Sequence, residues 1–386
     1  MALLKIRENN RDLTKEAFEI CDEMLKDLEK GKRPQLEAIK CALDNSFYNA
    51  SVGYLTPGKK TVITELNVSS VQKMARVVFM LEILLRNVET DSSNTKRELY
   101  YMAKGYVKSM PQYKALDFTD QPDSDAIIDF ICDMLQAYRE ELNCFANDRG
   151  GQTYSQQLVV TEALSDGTKA VVDLSTLGTS PFQPKNKPQA LKLKAKSKID
   201  FCLVMESEGT ANTLASNGFT KRHKCILMGA QGVPSNGVRG WAKLIQDELK
   251  VPIFFCGDLD AYTMQNIFRT LKAGSAASLI RNSDFSAPDV KFLGVLPEDV
   301  KKYDLHCYDV NENDVAEARK IKKARDALSN DPFFQDKRNK KLAAILDWLV
   351  ANKKRCEQQA FYSVDPRDPQ RFEKILVDKI KAGSYV

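Results

Sequence analysis

From Ile199 onward, short apolar runs with strand character alternate with segments of helical period, and no other feature constrains the fold as tightly. Residues 199–205, 225–228 and 251–257 read as strands, with a further short strand at 276–280. Between them, 210–216, 238–249 and 262–271 carry apolar side chains at helical spacing. Strands apolar along their whole length, joined by helices across short connections, fold as a mainly parallel sheet covered on both faces. The expected class for this half is α/β.

Open sheets of this kind gather their chemistry at the carboxyl ends of the strands. There the first strand ends in Glu206, and the third, Val251-Pro-Ile-Phe-Phe-Cys-Gly-Asp-Leu-Asp260, ends in Asp258 and Asp260. In an extended chain residues i and i+2 point the same way, so the two aspartates can converge. Converging carboxylates call for a hard divalent cation such as Mg2+. Taken alone, the D-x-D pair reads more readily as a strand running into an Asp-rich turn. The glycine-rich loop 229–237 lies at the same edge and is either a phosphate-facing row of N–H groups or a plain turn.

The first half reads differently. Residues 1–67 form an arm: a charged amphipathic helix to about residue 30, with Ala17, Phe18, Ile20, Cys21, Met24, Leu25 and Leu28 on its apolar side, then strand-like pieces over 36–66. Residues 68–190 hold three helices and a β ribbon, the outline of a winged helix-turn-helix. Ser69 or Ser70 can cap the first helix. Thr95 and Glu98 match a capping box at the second, and the third runs over 123–142. The ribbon is 157–161 with 170–174. Residues 175–198 are rich in Gly, Ser, Pro, Asn and Lys and read as a linker, so that 191–386 forms the α/β domain with a basic helical extension.

The middle helix is the informative one. At about 100° per residue from Leu99, Met102, Ala103 and Tyr106 define the buried side, while Tyr101 lies about 200° round, facing out. Arg97, Lys104 and Lys108 project on the side of Tyr101. A phosphate held by these cations would sit beside a hydroxyl that can act as a nucleophile. The same geometry suits an exposed tyrosine that only hydrogen-bonds DNA phosphates.

The net charge is only +5, but the basic residues cluster at 192–198, 221–224, 320–325, 337–341 and 353–355, which suggests a polyanionic partner. No apolar run approaches the ~20 residues of a membrane span, and the first residues do not resemble a secretion signal. Nine scattered cysteines without a C-x-x-C pair argue for reduced thiols in a cytosolic compartment and against a zinc site.

A strand-ending Glu followed by D-x-D on a later strand resembles the Toprim domain of topoisomerases and primases. Joined to Thr95-Lys-Arg-Glu-Leu-Tyr-Tyr101 on a winged helix, it resembles the family of the A chains of topoisomerase VI, the type IIB enzyme, and of the meiotic double-strand-break transesterase. The likeness runs from about residue 15 to the C-terminus and takes in Arg149-Gly150, 226–234, 288–294, 302–305 and Glu357-Gln-Gln-Ala360. The resemblance implies that the tyrosine four residues after Arg97, namely Tyr101, is the nucleophile. It implies that Glu206, Asp258 and Asp260 hold Mg2+, with Glu208 a rival for the first place. Lys96, Lys104, Lys108 and Arg149 are the expected DNA contacts. Where many relatives have Pro-Tyr-Gly after the second Asp, this chain has Ala261-Tyr262-Thr263, which leaves the loop shape open.

The activity so implied is reversible double-strand cleavage through a 5′-phosphotyrosyl link, relaxing supercoils and decatenating DNA. The chain shows no ATP-binding motif, so ATP is expected to be used by a separate B subunit contacting the N-terminal arm. The A chains would form a homodimer within an A2B2 heterotetramer, the tyrosine of one working with the metal site of the other. Such an enzyme is expected in the cytoplasm on the nucleoid of an archaeal-type cell, or in a nucleus. Two other readings are a meiotic-type transesterase that cuts without religation, and a DNA-binding scaffold without catalysis.

Overall fold

The computed structural model describes residues 11–145, 151–164, 167–183, 191–311 and 314–386. These fall into two units, one drawn from Met1–Ser46, Pro57–Asn147 and Ala276–Arg281, the other from Phe47–Thr56, Asp148–Ser275 and Asn282–Val386.

In the first unit Asp12 caps helix α1 (Leu13–Glu29) by accepting the Lys15 N–H at 3.0 Å. Strands β1 (Gln35–Ile39) and β2 (Thr61–Glu65) pair antiparallel. Then come α2 (Val71–Glu89), α3 (Lys96–Ser109) and α4 (Gln121–Leu135). One core joins them: Val77, Met80 and Leu84 of α2, Leu99 and Ala103 of α3, and Ile128 and Ile131 of α4. Two local expectations are corrected. Ser70 makes no side-chain cap on α2; instead the Asn67 side-chain oxygen accepts the N–H groups of Ser69 and Ser70, and the Ser70 hydroxyl donates to the Glu65 carbonyl. Helix α4 also stops well short of residue 142, because Gln136 turns left-handed with φ 48° and a separate 3-10 turn, Arg139–Leu142, follows.

The second unit is built on a five-stranded sheet. Naming its strands with those of the neighbouring ribbon in chain order, they are β3 (Gln152–Ser155), β4 (Leu158–Ala163), β5 (Lys169–Asp173), β6 (Leu191–Ala195), β7 (Phe201–Met205), β8 (Cys225–Gly229), β9 (Ile253–Cys256) and β10 (Lys291–Gly294). The order across the main sheet is β10-β9-β7-β8-β3, with β3 alone antiparallel. Every residue of β7, β8 and β9 is buried, as expected for strands covered on both faces. Helices α5 (Glu208–Ser216) and α6 (Asn236–Leu244) and the helical stretch 263–273 provide the cover, followed by α7 (Pro297–Tyr303), α8 (Val315–Asn330), α9 (Lys340–Asn352) and α10 (Arg371–Ala382). The α/β reading of this half holds.

Its details shift in two places. Residues 276–280 are not a strand but part of a 3-10 turn kinked at Ser278 (φ −145°, ψ 47°). The fourth parallel strand is β10, where Phe292 and Leu293 bury on the sheet and Phe292 exchanges both backbone hydrogen bonds with Val386 (2.6 and 2.9 Å). The stretch read as a linker contains β6, which pairs antiparallel with β4 while β5 pairs on the other side. That third strand accounts for the ribbon's place in the second unit. Among the described residues no helix is long and apolar enough to cross a membrane.

Candidate functional site

Helix α3 begins with a complete capping box: the Thr95 hydroxyl accepts the Glu98 N–H at 3.2 Å and the Glu98 carboxylate accepts the Thr95 N–H at 2.6 Å. The latter bond holds the Glu98 carboxyl below its ordinary value. With the helix start so fixed, Leu99 and Ala103 are fully buried and Tyr101 is 59% exposed. Tyr100, on the flank, packs partly into the core and meets the Tyr101 ring edge-on at 5.2 Å.

The cations around Tyr101 divide into two groups. Lys96 is tied to Asp129 at 2.8 Å, and Lys104 to Asp117 at 2.9 Å and to the Phe118 carbonyl at 2.6 Å. Arg97 and Lys108 are exposed and have no ion pair among the described residues. Helical spacing puts both on the stripe of Tyr101. The stripe free to meet a phosphate is therefore narrower than the sequence suggested. Arg149 lies outside the described residues.

In the second unit Glu206 follows β7 and is half-buried beside the loop after β9. The Asp258 N–H donates to Glu206 Oε2 at 3.0 Å, and the Thr263 hydroxyl donates to both Glu206 oxygens at 3.2 and 2.9 Å. Asp258 Oδ1 accepts the Gln358 N–H at 2.9 Å, and Asp260 Oδ1 accepts the Thr263 N–H at 2.6 Å. Gly257 exchanges backbone hydrogen bonds with Gly294 and Val295 at 2.7 Å, and Leu259 does the same with Cys356 at 2.8 and 3.1 Å. Burial and the Asp258 charge push the Glu206 carboxyl up to about 7. Burial likewise raises Asp258 to about 6, against the pull of the Gln358 N–H. Glu208 opens α5 and accepts the Gln152 N–H, so it is Glu206 that bonds the D-x-D loop.

Residues 201–372 match the Toprim domain of the Topoisomerase 6 A-subunit/Spo11 family, and residues 72–144 match Type IIB DNA topoisomerase. The A subunit of a Type 2 DNA topoisomerase 6 from Methanocaldococcus jannaschii is 31% identical over 358 residues, spanning 92% of this chain and 91% of that protein. The chain belongs to the family of topoisomerase VI A subunits. Relatives of the same description from Pyrococcus horikoshii (27% over 364 residues, 92% of this chain and 91% of that one) and Natronomonas pharaonis (24% over 320 residues, 83% of each) agree. Membership gives the chain the strand-cleaving chemistry of topoisomerases and transesterases.

For a topoisomerase VI A chain the question is then whether the carboxylates suit a metal. Three carboxylates are hard oxygen donors of the kind Mg2+ prefers. Burial, with like-charge repulsion second to it, raises Glu206 and Asp258, and a divalent cation would offset both. Yet among the described residues no three His, Cys, Asp or Glu side chains stand ready to hold a metal. Glu206 is instead engaged by Thr263 and Asp258, so binding requires it to exchange those hydrogen bonds for the cation.

Sequence reasoning missed several residues that shape this site. A Cβ on Gly257 would come within 2.5 Å of Glu206 Oε2 and 2.6 Å of the Phe255 ring, so only glycine leaves room for the acid. Thr263, noted as a departure from Pro-Tyr-Gly, supplies the hydroxyl on Glu206 and the N–H on Asp260. Gln358 comes from the region to which no chemistry was given; its motif, Glu357-Gln-Gln-Ala360, was the available signal.

Proposed function

We propose that this chain is the DNA-cleaving component of an ATP-dependent type IIB topoisomerase, making and resealing double-strand breaks through Tyr101. The observation that carries the reading is the outward Tyr101 on a firmly capped helix, on one stripe with an exposed Arg97 that has no ion pair among the described residues. The Tyr101 hydroxyl oxygen attacks the phosphorus of a backbone phosphodiester. The bond from phosphorus to the 3′ oxygen breaks, the phenolic proton passes to solvent, and the 3′ oxygen takes up a proton. One ester replaces another, so the cut end is stored as a 5′-phosphotyrosyl link and the reverse attack by the 3′ hydroxyl reseals the strand.

Arg97 steadies the phosphate and its developing charge, and Lys108 holds the backbone further along the stripe. Glu206, Asp258 and Asp260 are the residues that would hold Mg2+, which would supply positive charge at the phosphate. Gln358 orients Asp258 for that task, and Thr263 holds Glu206 in place until the cation takes over its oxygens. Because the sequence carries no ATP-binding motif, ATP is hydrolysed by a B subunit. The apolar side of α1, where Phe18, Leu25 and Leu28 are exposed, favours a partner contact at the N-terminal arm. By family resemblance the A chains pair within an A2B2 heterotetramer, the tyrosine of one protomer acting with the carboxylates of its partner.

The test is supercoiled plasmid treated with the purified A–B pair, with and without ATP and Mg2+. Relaxation that needs both, with protein trapped on 5′ ends by denaturant, is expected. Trapped protein without relaxation would shift the reading to a break-forming transesterase. No covalent link under any condition would contradict it.

A further inference from the structure

A phosphate approaching three carboxylates faces strong repulsion, and one divalent cation leaves the group still negative once the phosphate arrives. A second source of positive charge is needed on the chain, close to the D-x-D loop. The described residues of the second unit hold a suitable one. A cleft beside Asp260 is bordered by Lys320 of α8 and by Lys354 and Arg355, the two residues before the Cys356 that pairs with Leu259.

Arg355 is the distinctive member. Its positive charge already acts on Asp258, lowering that carboxyl against burial. Its guanidinium carbon lies over the Tyr308 ring, 5.1 Å from the centroid, a cation–π contact that helps hold the side chain in place. Its carboxylate neighbours are held at arm's length: Glu317 at 3.7 Å from Nε and Glu357 at 3.5 Å from Nη1. Charge-assisted N–H to oxygen bonds are made at about 2.7–2.9 Å, so neither contact is one. Nε is buried and has no hydrogen-bond partner among the described residues. Lys320 and Lys354 are exposed without ion pairs among the described residues. An arginine with a buried, unfilled Nε donor, lining with two exposed lysines the cleft beside Asp260, suits an oxyanion.

We propose that Arg355, flanked by Lys320 and Lys354, grips a backbone phosphate of the strand being cut at the metal site. The proposal rests on the cleavage reading above. It assigns Arg355 to the substrate as a direct contact: its N–H groups take the non-bridging oxygens of a phosphate and offset the carboxylate charge as the DNA enters.

The experiment uses the full A–B complex and a short duplex. It compares wild type, Arg355→Gln and Arg355→Lys for single-turnover formation of the covalent link, for thermal stability and for the salt dependence of duplex binding without metal. Arg355→Gln should form the link about 100-fold more slowly. Its slope of log affinity against log salt should be smaller by about 0.9, the loss of one phosphate contact. Arg355→Lys should recover at least about a tenth of the wild-type rate, and both variants should melt with the wild type. An Arg355→Gln variant with wild-type rate and slope overturns the proposal. So does a pair of variants equally slow and equally unstable, which would make Arg355 a structural residue. Absence of any link in wild type is a separate result, and it strikes the cleavage reading itself.

Discussion

The tyrosine helix and the carboxylate site are assembled in opposite ways. Around Tyr101 everything needed lies within one helix: a capping box starts it, Leu99 and Ala103 bury, and Arg97, Tyr101 and Lys108 follow on the exposed stripe. Around Asp258 the parts come from four separate segments of chain: Glu206, the stretch Gly257–Thr263, Gly294 with Val295, and Cys356 with Gln358. The first region is exposed and solvated, so its groups are free to meet a substrate. The second is partly buried, and Glu206 and Asp258 are raised chiefly by burial, with the neighbouring carboxylate charges adding to it. A nucleophile can be presented by local structure alone, whereas a cation site requires tertiary structure to force like charges together.

The largest effect expected from breaking the carboxylate side is that of Asp258→Asn. It should lower Mg2+-dependent formation of the covalent link at least about 100-fold while leaving duplex binding within a few-fold of wild type. Measured without metal, the same variant should be no less stable than wild type, because it removes a charge that burial disfavours. Gly257→Ala comes next. Its Cβ would collide with the Glu206 carboxylate and the Phe255 ring, at a cost of about 2–3 kcal/mol by denaturant titration and with weakened Mg2+ binding by calorimetry.

The pH dependence should separate the two regions further. Glu206 and Asp258 have folded values, about 7 and about 6, above their ordinary 4.5 and 3.8. The fold therefore binds protons that the unfolded chain has already released. Their contribution to metal-free stability is full below about pH 4 and is lost as the pH rises through about 6 to 7. Scanning calorimetry of wild type against Asp258→Asn should show the gap between them growing over that window. Added Mg2+ should close the gap and release protons near about pH 6. The smallest effect belongs to the other side. Glu98→Ala removes half of the α3 capping box, should lower the melting temperature only slightly, and should show no dependence on Mg2+.

The same contrast explains what could be read from the chain beforehand. Alternation in 199–271 forecast the sheet because buried parallel strands and their helices leave a strong local pattern. The capping box and the outward Tyr101 were legible because helical geometry is fixed by spacing. The pairing of Lys104 with Asp117 and of Lys96 with Asp129 was not, since it depends on how α3 packs with the segments after it. Residues 276–280 looked like a strand because a short apolar run does not reveal whether it has a partner; β10 has one in β9. Gln358, Thr263 and Gly257 act on the acids through contacts between distant segments, which no periodicity records. Recognising the Glu357-Gln-Gln-Ala360 motif pointed to the right segment without saying what it does.

The central claim is that Tyr101 is the residue that joins DNA. It is tested most directly by trapping the covalent product of the complete A–B pair on supercoiled DNA, digesting it, and identifying the nucleotide-bearing peptide by mass spectrometry. The account predicts a 5′-phosphotyrosyl peptide spanning α3 with the mass on Tyr101, and no adduct from Tyr101→Phe although that variant still binds duplex. An adduct on another residue, or undiminished adduct from Tyr101→Phe, would contradict it.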